Sequence, residues 1–254
     1  MKAALLLSGG LSERMKSLGT PKQFYEVDGK PIIMYSLMCL ENCDDISFIA
    51  IASPGEWHEK ITDWVRHYGI SKFRIFTPPG RTRQHSVYNG LLALRNILGE
   101  RDYIVIHDAA RPMASVRDIS DCVNTAAGGD GAMPVIEVCD TIYKSTDGIE
   151  ITGLLNRNEL FSGQAPECYH FGKYLAAHDK LTDDEIAKFH GSSEIAFQSG
   201  MRIRLYGGDR NNIKISTLAD LKYFEYIVCN KKGALSVLKA GLTEGFQDDR
   251  LGIA

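Results

Sequence analysis

Apolar residues fall into two rhythms along this chain. The short apolar run Lys2–Leu7 reads as a buried strand, and Ile46–Ala52, Phe73–Thr77 and Tyr103–His107 read as three more. Segments of helical period lie between them. One opens at Pro31 and runs to Cys39, with proline suited to a first turn. A second covers about Trp57 to His67. In a third, Val87, Leu91, Leu94 and Leu98 recur at i, i+4, i+7 and i+11, so one face is apolar. Ser115 with Asp118 reads as a capping box before a stripe of Val116, Ile119 and Val123. The alternation predicts an α/β fold with a Rossmann-like, mostly parallel sheet and helices on both faces. Such sheets bind ligands beyond the carboxyl ends of their strands. Ser8-Gly9-Gly10 and His107-Asp108 both sit there.

The rhythm breaks in the middle. Val135–Lys144 and Glu150–Leu155 read as two extended segments around a turn at Thr146-Asp147-Gly148, which predicts a β-arm over 135–158 leaving the main sheet. Helices follow near 171–189 and 193–199, then a strand at Arg202–Tyr206. Thr217 and Asp220 cap a last helix whose apolar face is Leu221, Phe224 and Val228. Residues 1–230 make one domain in this reading, and 231–254 an amphipathic tail with a polar end.

Among 254 residues the net charge is -3. No global positive field invites nucleic acid or an anionic membrane, so any anion site must be local. No signal peptide or membrane-length apolar run is visible, which points to a cytoplasmic protein. The six cysteines are scattered, without C-x-x-C or zinc-like spacing, and read as buried reduced thiols.

Four segments carry candidate chemistry. Leu7-Ser8-Gly9-Gly10 continues through Arg14 to Pro21-Lys22. Its glycines let backbone N–H groups approach phosphate oxygens, and Arg14 and Lys22 add fixed charge suited to a triphosphate. It has neither the P-loop nor the dinucleotide spacing; a surface loop with incidental charges is the alternative. The second, Gly80-Arg81-Thr82-Arg83-Gln84-His85-Ser86, joins a strand to a helix and suits an anion, unless Arg81 and Arg83 are solvated loop charges. In the third, His107 to Pro112, Asp108 is placed to hold Mg²⁺ or a sugar hydroxyl. Arg111 either joins it there or pairs with it as scaffolding, and His107 reads as a satisfied near-core histidine. The fourth is dispersed: Arg157, Gln164 to Glu167, and Lys214 between Ile213 and Ile215, pointing opposite to them on a strand.

In this order the stretches GGLSERM, PKQF, PGRTRQHSV, IVIHDAARP, CDTI, NRNELFSGQAP and NNIKIST resemble the cytidylyltransferases of polyol phosphates. That family includes the 2-C-methyl-D-erythritol 4-phosphate and ribitol-5-phosphate enzymes. The resemblance spans residues 3 to about 228. It implies that CTP is held by Leu7, Ser8, Gly9 and Gly10 and by Gly80, Arg83, Ser86 and Ala109, with Arg14 and Lys22 catalytic at the α-phosphate. It implies that Asp108, Arg111, Arg157 and Lys214 bind the acceptor and that Asp108 meets Mg²⁺. It further implies a homodimer exchanging the 135–158 arm, so that Arg157 reaches the other subunit's site.

The chain also departs from the family. Ser12 stands where many members have glycine, which suggests a less extreme backbone angle or some strain. Gln164-Ala165-Pro166-Glu167 stands for the usual Q-T-P-Q, removing a hydroxyl and adding a charge. The spacing over 181–200 leans toward ribitol 5-phosphate or a related polyol phosphate. Methylerythritol phosphate is the alternative acceptor. A catalytically degenerate nucleotide-binding homologue is a second alternative.

Overall fold

The computed structural model describes residues 1–10 and 12–241, with side chains for all of these but Glu13 and 231–241. The first half follows the predicted alternation. It runs β1 (Lys2–Leu7), a small pair β2 (Glu26–Val27) and β3 (Lys30–Pro31), α1 (Ile32–Glu41), β4 (Phe48–Ala52), α2 (His58–His67), β5 (Phe73–Thr77), α3 (Arg83–Leu94), β6 (Tyr103–Asp108) and α4 (Val116–Ala126). Pro31 caps α1 rather than opening it. The box of Ser115 and Asp118 forms as expected, but Val116 is exposed, leaving Ile119 and Val123 as the buried stripe.

The remainder is β7 (Gly131–Glu137), β8 (Tyr143–Lys144), β9 (Gly153–Leu154), β10 (Phe161–Gly163), β11 (Glu167–His170), α5 (Phe171–Asp179), α6 (Asp183–Ile186), α7 (Ser192–Gln198), β12 (Ile203–Gly207) and α8 (Leu218–Gly241). The helix expected over 171–189 is thus two pieces, divided where Thr182 caps α6. The last helix runs on through 231, where the tail was expected to begin; 242–254 lie outside the described residues.

The main sheet runs β10-β7-β11-β6-β1-β4-β5, with β12 on the other edge of β7. The β1, β4, β5 and β6 pairings are parallel, as is β7 with β12. β11 enters antiparallel between β6 and β7, and β10 pairs antiparallel with β7. The expected arm therefore begins later than position 135, because Val135 to Glu137 belong to this sheet. Beyond it, β8 and β9 pair with each other through Tyr143 with Leu154 and Lys144 with Gly153.

Alternation along β1 divides the core. Ala4 and Leu6 face one side with Ile33 and Leu37 of α1, Ile61 of α2 and Ile119 of α4. Ala3 and Leu5 face the other with Val87 and Leu91 of α3, Phe171 of α5 and Ile195 of α7. A strand with helices on both faces has no polar side, which is why its sequence is a plain apolar run. A third, smaller cluster joins Met15, Val27 and Ile32 to Ile215, Leu221 and Phe224, tying the loop after β1 to α8. Four cysteines are buried and all six are free, but Cys139 and Cys229 are exposed, contrary to the expectation that all are buried. Among the described residues no helix is long and apolar enough to cross a membrane.

Candidate functional site

The loop after β1 folds around Gln23, whose buried amide donates to the carbonyls of Ser8 (2.7 Å) and Gly10 (2.9 Å). Ser8 is buried, its hydroxyl donating to the Ala52 carbonyl at 2.9 Å. Ser12 adopts φ 57 and ψ 40, so of the two expectations, a less extreme angle or some strain, the second is met: a side chain sits in the left-handed region. That conformation costs roughly 1–2 kcal/mol for a non-glycine residue. The serine hydroxyl offsets part of this by accepting from the Lys22 amide at 2.9 Å. The loop's two ends are thereby joined, and Ser12, Arg14, Met15, Lys22 and Ser216 line one depression. Burial lowers the Lys22 pKa, and Lys214 and Arg14 lower it further, against the upward pull of Asp108 and Asp220. Three cations repelling one another is an arrangement that a polyanion relieves.

The second loop packs against the first. A Cβ on Gly9 would come 2.6 Å from the Cβ of Pro79, and one on Gly80 would come 2.6 Å from the His85 carbonyl carbon. Neither glycine has room for a side chain. The Gly80 amide donates to Ser86 Oγ at 2.9 Å, so this hydroxyl braces the turn from within. Thr82 caps α3 by accepting from the His85 amide. Arg81 pairs with exposed Asp183 and Asp184, in keeping with a solvated charge.

Arg83 is no solvated charge. Its Nε donates to Asp108 Oδ1 at 3.0 Å, Nη1 to Ser192 Oγ at 2.5 Å and Nη2 to Glu167 Oε1 at 3.4 Å. Asp108 ends β6, with Ala109 buried beside it and donating to the Leu7 carbonyl. Its second oxygen lies 2.8 Å from Lys214 Nζ. Burial alone would raise the Asp108 pKa, but Arg83, Lys214 and Arg111 overcome it and hold the carboxyl far below the usual range. Lys214 reaches the site from an extended loop rather than the expected strand. The alternation still holds, with Ile215 buried and Lys214 exposed. Arg111 donates to the Asn212 carbonyl at 2.7 Å, which fixes it beside Asp108 without a direct pair. Burial lowers its pKa, opposed by Asp108 and Glu167. His107 is fully buried, as a near-core histidine should be; neither ring nitrogen has a partner in good hydrogen-bond geometry among the described residues. Burial pushes its pKa down to about 4, although the Arg111 backbone comes close enough to pull it upward.

These groups share one cleft of about 420 Å³, lined by Arg83, Asp108, Arg111, Gln164, Ala165, Glu167, His190, Ser193 and Lys214 among others. Arg157 is not in it. Its guanidinium donates to the Cys139 carbonyl at 2.9 Å and lines a separate hollow of about 500 Å³ with Glu137, Asn158 and Phe161. Among the described residues no three His, Cys, Asp or Glu side chains gather as a metal site.

Sequence reasoning missed His190 and Ser193, which line the cleft, and buried Ser192, which accepts from Arg83; all lie more than a hundred positions from Arg83 and carry no local signal. Glu167, named with Gln164 in the dispersed fourth segment, does line the cleft.

A sequence model of 2-C-methyl-D-erythritol 4-phosphate cytidylyltransferase matches residues 3–230. Among solved structures, the enzyme of that name from Francisella tularensis is 24% identical, with a TM-score of 0.73 over 89% of this chain and 98% of that one. The 4-diphosphocytidyl-2C-methyl-D-erythritol synthase from Anaerococcus prevotii is 19% identical, with a TM-score of 0.75 over 90% and 96%. The 2-C-methyl-D-erythritol 4-phosphate cytidylyltransferase from Thermus thermophilus is 21% identical, with a TM-score of 0.67 over 89% and 98%. At these identities the structures show a common fold, and with it the α/β architecture expected from the sequence.

Proposed function

Because the chain belongs to the 2-C-methyl-D-erythritol 4-phosphate cytidylyltransferase family, we propose that methylerythritol 4-phosphate is the acceptor onto which this cytidylyltransferase moves CMP from CTP. The family match favours that acceptor over the ribitol 5-phosphate toward which the 181–200 spacing leaned. The observation that carries the site assignment is the meeting of Arg83, Arg111 and Lys214 around Asp108 in one cleft, electrostatically coupled to the Arg14–Lys22 loop.

In this reading CTP lies across the two packed loops, with its phosphates toward the backbone of Leu7 to Gly10 and toward Lys22 and Arg14. The acceptor phosphate enters the cleft against Lys214 and Arg111. One of its oxygens attacks the α-phosphorus and pyrophosphate leaves. An ionised phosphate needs no general base, so the work of the site is positioning and cancelling negative charge. Charge building on the α-phosphate falls to Arg14 and Lys22. Both Asp108 oxygens already face cations, Arg83 and Lys214, so the carboxylate does not fit as a free Mg²⁺ ligand, and the ion would be held chiefly by the substrate phosphates. When bound there the ion would neutralise triphosphate charge.

A homodimer through the arm accompanies this reading. Tyr143, Ile149, Ile151 and Leu154 are exposed on an arm whose own sheet is two residues per strand, too little to stand alone. A second copy would cover them and bring its Arg157 to this cleft. Pyrophosphate release across CTP, ATP, GTP and UTP, each with methylerythritol 4-phosphate and ribitol 5-phosphate, tests the proposal. CTP with methylerythritol 4-phosphate should exceed every other pair. Equal turnover with a purine triphosphate, or better turnover with ribitol 5-phosphate, refutes it.

A further inference from the structure

Glu167 heads β11 in the interior of the main sheet, opposite Ile106 of β6, and is buried. A buried carboxylate is costly unless both oxygens are engaged, and here they are engaged in different directions. Oε1 accepts from Arg83 Nη2 at 3.4 Å and Oε2 from the Tyr169 hydroxyl at 2.5 Å. Tyr169 is itself immobilised: it is fully buried and stacked on Tyr174 with ring centroids 4.1 Å apart. The Tyr174 hydroxyl donates to the Ser192 carbonyl at 3.1 Å, and Ser192 Oγ lies 2.5 Å from Arg83 Nη1. The circuit closes on the guanidinium.

An arginine facing one carboxylate prefers to set two parallel N–H groups against its two oxygens. Were Arg83 to do so with Asp108, it would engage Oδ2, the oxygen that Lys214 holds at 2.8 Å. It does not: only Nε meets Asp108, while Nη2 turns to Glu167. We propose that Glu167 is a positioning residue that draws one arm of the Arg83 fork off Asp108, leaving Oδ2 to Lys214. Two separate cations then share the Asp108 carboxylate, one per oxygen, and the lysine stays where the acceptor phosphate arrives. The inference rests on the reading of this cleft as the acceptor side.

The test compares Glu167→Leu and Glu167→Gln, each in the wild-type and the Arg83→Met background. Pyrophosphate release is followed with whichever of methylerythritol 4-phosphate and ribitol 5-phosphate the wild type turns over. Glu167→Leu should lower kcat/KM for the acceptor by about thirtyfold or more, with the KM for CTP within about twofold, since only the acceptor side loses its geometry. Glu167→Gln keeps an oxygen for Arg83 and should recover most of the loss. With Arg83→Met in place, Glu167→Leu should add less than about threefold, because residues acting through one another are not additive. A Leu variant of wild-type kcat/KM, or an undiminished loss in the Arg83→Met background, overturns the proposal.

Tyr169→Phe supplies the same comparison if Glu167→Leu does not fold: it should give a smaller loss of the same kind, and wild-type kinetics would overturn the proposal. A crystal structure of Glu167→Gln or Tyr169→Phe reads the fork directly if Arg83→Met is inactive. An Arg83 in the wild-type pose in Tyr169→Phe, together with wild-type kinetics, again overturns it. Preference for ribitol 5-phosphate in the wild type would sink the acceptor assignment alone, leaving the Glu167 comparison readable.

Discussion

Lys214 Nζ and Asp108 Oδ2 lie 2.8 Å apart in one cleft, so under the proposed reading the lysine is already stationed where the acceptor phosphate arrives. Removing it strips the cleft of a charge and leaves Asp108 bound by Arg83 alone. Lys214→Ala should therefore raise the acceptor KM and lower kcat/KM by roughly a hundredfold, the usual scale for one preorganised charge contact. The CTP constant should stay within a few-fold. Steady-state kinetics with each substrate varied in turn decides this; an unchanged acceptor constant removes Lys214 from the site.

Arg14 is exposed, and Lys22 lies in the same depression. Neither supports an apolar stripe. Arg14→Ala and Lys22→Ala should each lower turnover on the order of a hundredfold, or about 3 kcal/mol, while the melting temperature moves by no more than a few degrees. A variant retaining near-normal turnover excludes its residue from the α-phosphate.

The arm gives a prediction about assembly. Ile151 and Leu154 are each about two-thirds exposed. Ile151→Asp with Leu154→Asp should leave a folded monomer by sedimentation analysis, with acceptor use reduced because Arg157 of a second copy no longer arrives. A wild-type chain that is monomeric and fully active at micromolar concentration would overturn the dimer.

His107 and His178 have pKa values near 4, pushed down by burial. The unfolded chain takes up protons at these positions near pH 6.5, whereas the folded chain refuses them until about pH 4. Their contribution is thus present above pH 6.5 and lost as pH falls between the two values. Urea unfolding should show stability declining over that window, with the pair supplying up to about 2.7 kcal/mol per pH unit. His178→Leu should remove about half of that slope; an unchanged slope rules out this source.

Most of the first half was legible because strands with helices on both faces must be largely apolar, as the interiors of β1, β4 and β6 are; β5, at the sheet's edge, carries an exposed Arg74. β11 was not legible. It is four residues long and bounded by Glu167 and His170, so its composition resembles a loop; what makes it a strand is the pairing with β6 and β7, a long-range fact. β7 escaped in part for a similar reason, since it opens at Gly131 and contains Pro134. At the site, Asp108 and Lys214 were placed by their neighbours in sequence. The function of Arg83 was not, because an arginine at a helix start looks the same whether water or Glu167 receives it. Only the three-dimensional circuit distinguishes the two.

The third apolar cluster, in which Met15 and Phe224 share one small core, also bears on synthesis. The loop after β1 leaves the ribosome early, but its packing surface is among the last described parts of the chain to appear. Domains fold as units during translation, and the small core beneath this loop is incomplete until Leu221 and Phe224 have emerged. A nascent chain halted before that point would carry most of the sheet and both glycine loops, with the core beneath the first of them still unfinished.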